Sequence, residues 1–177
     1  MYYFKLKFKI MKFYSFFIII LIFLNINCIP SFIPNVIAKE LKFNPYFANL
    51  KWNKANVRSG PGKKYPILWQ FRKARLPIEI IGEYDSHFKI RYLDGDQGWL
   101  HKRLIDKKER WAMIQPTSQV LRSKPDINSK PILVAEPGVI GKIQICREKW
   151  CKLEIKKMSG WIPKNFIWGV YPDETIE

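Results

Sequence analysis

The chain is poor in the side chains from which metal centres and nucleophilic sites are built: its 177 residues include two histidines and three cysteines. No His-Glu zinc motif occurs, and neither the histidines nor the cysteines have the spacing of a zinc finger. A four-ligand site would have to combine Cys146 and Cys151 with His87 and His101, at least 45 residues away. A glycine-rich phosphate loop leading into a helix is missing too, which removes the common nucleotide-binding frameworks. Beyond residue 39 no stretch sustains a helical period, and that leaves an all-β chain. Acidic residues are scarce, 15 against 31 Lys and Arg, and none precedes Lys39.

What the first 38 residues do contain is a basic start, Lys5, Lys7, Lys9 and Lys12, followed by a nearly unbroken apolar run of 12 residues from Phe13 to Leu24. This is a secretory signal pattern. The run is short of the roughly 20 residues a membrane-spanning helix needs, and Val36-Ile37-Ala38 offers a cleavage site with a mature start near Lys39. An uncleaved N-terminal membrane anchor is the alternative; lipid attachment at Cys28 fits less well beside Asn25 and Asn27. Past the signal, 27 basic residues face 15 acidic ones, a net charge of +12. Such an excess speaks to partners rather than fold. Nucleic acid is the reflex partner, but an exported protein rarely meets it, so anionic envelope polymers or a membrane surface fit better. Cys146 and Cys151 are an even pair separated by four residues, and in an oxidising compartment that favours a disulfide across a hairpin tip. One difficulty is parity: Ile143 and Ile145 place Cys146 on the face opposite to that of Cys151, Leu153 and Ile155, unless a bulge intervenes.

The most informative presence is a duplication. Asn56-Val57-Arg58-Ser59-Gly60-Pro61 and Pro66-Ile67-Leu68 return as Val120-Leu121-Arg122-Ser123-Lys124-Pro125 and Pro131-Ile132-Leu133, with one residue inserted in the second copy. Each copy is followed about 40 residues on by Gly-Trp-apolar, at Gly98-Trp99-Leu100 and Gly160-Trp161-Ile162. Arg58 and Arg122 are 64 positions apart and the two tryptophans 62, a period suited to a small barrel, and two copies are too few for a solenoid. The chain therefore divides into a signal over 1–38, a linker over 39–49, a first repeat over 50–108, a second over 109–172 and an acidic tail over 173–177. Phe88-Lys89-Ile90-Arg91-Tyr92 alternates as a half-buried strand, Asp94-Gly95-Asp96 supplies a hairpin turn, and Lys102–Ile105 suits a 3₁₀ turn. The joint at Lys107–Arg110 is so short that the repeats should sit side by side.

Taken together, Asn56-Val57-Arg58 with Gly60-Pro61-Gly62, Tyr65-Pro66-Ile67 and the Gly98-Trp99 strand resemble the bacterial SH3-like (SH3b) domain. The second copy, with Gly160-Trp161-Ile162-Pro163 and Trp168-Gly169-Val170-Tyr171, is similar to tandem SH3-like proteins of alphaproteobacterial type. The resemblance implies two small five- or six-stranded β barrels exported to the periplasm or envelope and binding cell-wall peptides or peptidoglycan, with no cofactor. An envelope protein is the alternative partner. The second copy departs from the motif where Lys124 replaces Gly60 and Asp126 replaces Gly62, which puts its loop and any binding role in question.

Candidate ligand-binding residues are Trp52, Arg58, Tyr65, Trp69 and Trp99. Aromatic side chains of SH3-like surfaces receive extended peptides, and Tyr65, Trp69 and Trp99 are expected on one exposed surface bordered by Arg58 and lysines. The competing reading packs these aromatics into the fold and spends Arg58 on a carbonyl or on Asp94 or Asp96. Catalysis finds little support: Cys151, His87 and Asp85 can be nominated as nucleophile, base and orienting acid, but the expected disulfide would consume the thiol. The reading is a non-enzymatic binding module, with an interaction or regulatory module and a cryptic wall hydrolase as its rivals.

Overall fold

The computed structural model describes residues 43–177, so the signal or anchor, Cys28 and the expected mature start lie outside the described residues. The first repeat runs through β1 (Tyr46–Leu50), β2 (Ala55–Arg58), β3 (Ile67–Phe71), β4 (Pro77–Tyr84), β5 (His87–Arg91), β6 (Gln97–His101) and β7 (Ile105–Asp106). The second runs through β8 (Trp111–Ile114), β9 (Gln119–Arg122), β10 (Pro131–Ala135), β11 (Ile140–Arg147), β12 (Trp150–Ile155), β13 (Met158–Pro163) and β14 (Ile167–Trp168). The sheet orders β3-β2-β6-β5-β4-β1-β7 and β10-β9-β13-β12-β11-β8-β14 are identical once seven is added to each label. Short turns close the hairpins, with Gly95 at positive φ in the β5–β6 turn and a 3₁₀ turn at Lys102–Leu104.

The expected equivalences of the arginines, of the tryptophans and of Phe88 with Cys151 appear in the strand register. Arg58 pairs with Trp99 and Arg122 with Trp161. Phe88 pairs with Leu100 as Cys151 does with Ile162, so Cys151 takes the place of Phe88. Along β5 the inward side chains Phe88 and Ile90 alternate with outward Lys89 and Arg91, the period of a sheet with one buried face. Their counterparts Cys151, Leu153 and Ile155 fill the second core.

Three expectations change. Residues 46–49 are not linker: Tyr46–Leu50 is a strand between β4 and β7. The polar Asn49 that disguised it is 2 % exposed, because its side chain donates to the Glu109 carbonyl and accepts from the Trp111 N–H at 3.2 Å. No residue is inserted between Arg122 and β10. Arg58 pairs with Ile67 and Arg122 with Pro131, while Ser59 N–H donates to the Pro66 carbonyl as Ser123 N–H does to that of Lys130. The two Pro-Ile-Leu triplets are thus one residue out of structural register. Finally, 173–177 is no loose tail. Ile176 forms a two-way bridge with Cys146, and Lys164 Nζ donates to the carbonyls of Pro172 and Glu174 at 3.0 and 2.7 Å.

The parity conflict at the cysteines is settled by a bulge. Ile143 pairs with Leu153 but Ile145 with Lys152, so Gln144 is the extra residue. Beyond it Cys146 turns inward, opposite Cys151, with Cα atoms 4.1 Å apart and both residues fully buried in a disulfide. The first repeat bulges at the same place, between Ile80 and Gly82.

The repeats pack on one another as the short joint requires. Met113 of the second repeat is buried in the first core, with Ile140 and Trp168 against it. Phe47 meets the rings of Trp168 and Tyr171 at 4.9 and 4.8 Å, and Trp168 Nε1 donates to the Pro77 carbonyl. At the centre of the seam the 3 %-exposed Glu79 accepts two hydrogen bonds from Arg91, at 2.7 and 2.8 Å, and one from the Tyr171 hydroxyl at 2.7 Å. Burial on its own would raise the Glu79 carboxyl, but those bonds and the Arg91 charge hold it below its ordinary value. Burial and Glu79 together push the Tyr171 hydroxyl up.

Two outcomes follow. A non-reduced peptide map should show Cys146 joined to Cys151, and Cys146→Ala with Cys151→Ala should cost roughly 2 kcal/mol on the loop-entropy scale; two free thiols at these positions would refute the bond. Because folding lowers the Glu79 pKa, its stabilisation is complete above the ordinary value of 4.5 and is lost as pH falls through the lower folded value. Thermal melts should therefore show wild type losing more stability in acid than Glu79→Gln, and Tyr171→Phe costing about 1.5–3 kcal/mol at neutral pH.

Candidate functional site

Strand β6 fixes the site through side-chain parity. Gly98 is buried with its Cα facing Val57 and Trp69; a Cβ there would come within 2.3 Å of Val57 Cγ1. Leu100 is fully buried, so Trp99, between them, must point outward beside Arg58 on β2. Arg58 Nη1 donates to the carbonyls of Tyr65 and Lys63 at 2.8 and 3.3 Å and so ties down the loop between β2 and β3. Of the partners expected for it, carbonyls prevail over Asp94 and Asp96.

Around this pair lies a groove of about 280 Å³ lined by Lys54, Asn56, Arg58, Lys63, His87, Trp99, His101, Arg103 and Leu104. Its floor is a histidine pair across β5 and β6, rings 5.0 Å apart and edge to face. His101 Nδ1 accepts the Arg103 N–H at 3.2 Å, and His87 Nδ1 lies 3.1 Å from the Ser86 hydroxyl. Burial above all, then the neighbouring His101 and Arg58, pull the His87 pKa below its ordinary value against the opposing charge of Asp85. His87 is therefore neutral at neutral pH, an imidazole that can exchange hydrogen bonds without adding charge.

Of the five residues nominated from sequence, Arg58 and Trp99 meet in this groove. The remaining three do not join them. Trp52 sits 56 % exposed in the β1–β2 turn, with Lys51 Nζ 5.4 Å from its ring centre. Tyr65 lies over Gly60, where a Cβ would come within 2.5 Å of the ring. Trp69 pairs with the buried Val57 and packs edge to face on Phe71 at 6.1 Å, on the barrel's inner side. The expectation of one surface carrying Tyr65, Trp69 and Trp99 thus fails at Trp69, because β3 alternates and Trp69 shares the parity of buried Phe71. Sequence reasoning named His87 for catalysis and, with His101, for a zinc site it set aside, and did not place His87, His101 or Arg103 at the ligand site. The signal was present in the alternation of β5 and β6, which puts His87, Lys89, Trp99 and His101 on one face. The nominated nucleophile Cys151 is disulfide-bonded in the other repeat, so among the described residues no thiol stands near His87 and Asp85.

In the second repeat Trp161 and Arg122 keep the same pairing, and Arg122 Nη1 donates to the Ser129 carbonyl at 2.8 Å as Arg58 does to Tyr65. The loop keeps its shape despite Lys124 and Asp126: Asp126 N–H donates to the Lys124 carbonyl as Gly62 does to Gly60. Gly60 was needed to make room for the Tyr65 ring. Ser129 stands in the place of Tyr65, bonds the Lys124 and Asp126 carbonyls through its hydroxyl, and leaves space for a side chain at 124.

The chain is 28 % identical over 123 residues to the "Putative N-acetylmuramoyl-L-alanine amidase YrvJ" of Bacillus subtilis, a match covering 63 % of this chain and 23 % of that protein. It spans, then, about a quarter of the length of that relative. Among solved structures, NlpC1 from Trichomonas vaginalis aligns with 70 % of this chain and 45 % of its own at 10 % identity and a TM-score of 0.34. NlpC2 from the same organism aligns with 74 % and 50 %, again at 10 % identity and a TM-score of 0.34. Residues 51–107 and 115–169 each match the family model described as bacterial SH3 domain, and the chain belongs to that family as a tandem pair.

Proposed function

We propose that this protein is an exported, non-enzymatic binding module that engages peptidoglycan or its peptides in the cell envelope through the groove of its first repeat. The observation that carries the reading is the outward Trp99 beside Arg58, set over an open groove by a strand whose flanking residues are locked inward. An aromatic face next to a fixed guanidinium is suited to a ligand with both an apolar and a polar edge. Membership of the bacterial SH3 family supports a wall ligand, as does the likeness to a protein named as a putative N-acetylmuramoyl-L-alanine amidase. A buried disulfide is the kind of bond that persists in an oxidising compartment, which supports export. The alternative partner is an envelope protein, such as a hydrolase that the module regulates.

Sedimentation with purified peptidoglycan tests the proposal. The wild-type chain should co-sediment, and Trp99→Ala should weaken the association at least about tenfold, a loss of about 1.4 kcal/mol, with little change in melting temperature. Trp52→Ala, away from the groove, should bind as wild type. If Trp99→Ala binds normally, the ligand surface lies elsewhere. Failure to sediment, together with crosslinking to an envelope protein, would favour the protein-partner reading.

A further inference from the structure

We infer that the first-repeat groove recognises an anionic group on its ligand, a carboxylate or phosphate, and that the second repeat lacks this specificity. The inference rests on the reading above for the location of the site and adds the chemical class of what binds there.

The duplication supplies an internal control. Both repeats keep the residues that build the position: the arginine tying the loop, the outward tryptophan and the buried glycine before it. What differs is the lining. In the first repeat it holds four fixed cations, Lys54, Arg58, Lys63 and Arg103, with two imidazoles between them and no carboxylate. The strand and loop registers place Ser118, Arg122, Ile127 and Asn165 where those cations stand, and Trp150 and Pro163 where the histidines stand. At these positions four cations become one and both imidazoles disappear, although the framework is unchanged, and Lys149 is the exposed cation that borders Trp150, Pro163 and Asn165.

Lysines on a basic protein are normally a solvated surface, and the chain carries +16 overall. Here the cations converge on one concavity, and low-dielectric walls such as Trp99 and Leu104 strengthen a converging field. Three of them are unspent: the side chains of Lys54, Lys63 and Arg103 form no hydrogen bond or ion pair among the described residues. The acid that acts on His87, Asp85, stands in the β4–β5 turn near the Ser86 hydroxyl and outside the lining. In the second repeat Lys164, the counterpart of Lys102 rather than of a groove cation, is buried against the carbonyls of Pro172 and Glu174.

The test uses the full chain, two soluble probes, polyglutamate and inorganic polyphosphate, and purified peptidoglycan. A groove variant carries Lys54→Gln, Lys63→Gln and Arg103→Gln, all exposed positions, and a charge-matched control carries Lys124→Gln, Lys130→Gln and Lys157→Gln in the second repeat. The groove variant should lose at least about tenfold in affinity for the better probe, and the control less than about twofold; tenfold corresponds to about 1.4 kcal/mol. Salt should weaken wild-type binding more steeply than that of the groove variant. Preference for polyglutamate assigns a carboxylate, and preference for polyphosphate a phosphate. Equal losses in the two variants, or no binding of either probe, would overturn the inference. Peptidoglycan binding that the groove variant retains would overturn it while leaving the wall-binding reading intact. Groove-dependent probe binding without peptidoglycan binding would do the reverse.

Discussion

The structure depends on a close approach between two strands that leaves no room for a side chain. At Gly98 and at Gly160 a Cβ would fall 2.3 Å from Val57 Cγ1 and 2.7 Å from Leu121 Cβ. With glycine forced inward, the residue after it faces out and the next one is core. In both repeats that outward residue is tryptophan and its cross-strand neighbour is the arginine that pins the following loop. The site is therefore a by-product of how the barrel closes: the contact that completes the core also presents the aromatic to solvent.

Identical frameworks leave divergence to the side chains around them. Glu79 and Lys142 hold equivalent places before the bulge, yet Glu79 is buried beneath Tyr171 and Arg91 whereas Lys142 reaches Glu109 at 2.6 Å at the surface. The seam explains the difference, because the second repeat covers that face of the first and, among the described residues, nothing corresponding covers its own. A carboxylate taken out of water needs several donors to remain charged, and Glu79 has three hydrogen bonds to supply them. The outer faces of β5 and β6 carry no such constraint, and there the lining changed from basic to mostly neutral.

Much of this was legible in the chain. Arg58 and Arg122, Trp99 and Trp161, and Phe88 and Cys151 could be equated from spacing alone, since strand pairing preserves spacing between bulges and turns. The bulge at Gln144 was foreshadowed by conflicting parities on its two sides. Where reading failed, the cause was tertiary. Asn49 looked like linker because its burial is earned by partners sixty residues away. Pro66 and Pro131 looked equivalent because the letters match, whereas the hydrogen bonds of the loop equate Pro131 with Ile67. Trp69 looked like a binding aromatic because side-chain type carries no information about which face a strand presents. The groove histidines were hidden by the same gap: His87 and His101 are 14 residues apart and become neighbours only when β5 and β6 register.

The placement of Met113 bears on how such proteins can be rearranged. Tandem modules are often treated as beads, to be deleted, multiplied or grafted at will, and repeat arrays with self-contained units tolerate this. Here a methionine of the second copy is part of the first copy's interior, and Trp168 closes over it from the same side. The two copies keep separate cores, but the first is completed by a side chain of the second, although the sequence divides so readily in half. Cutting the chain between the copies would therefore open the first core at the place Met113 fills.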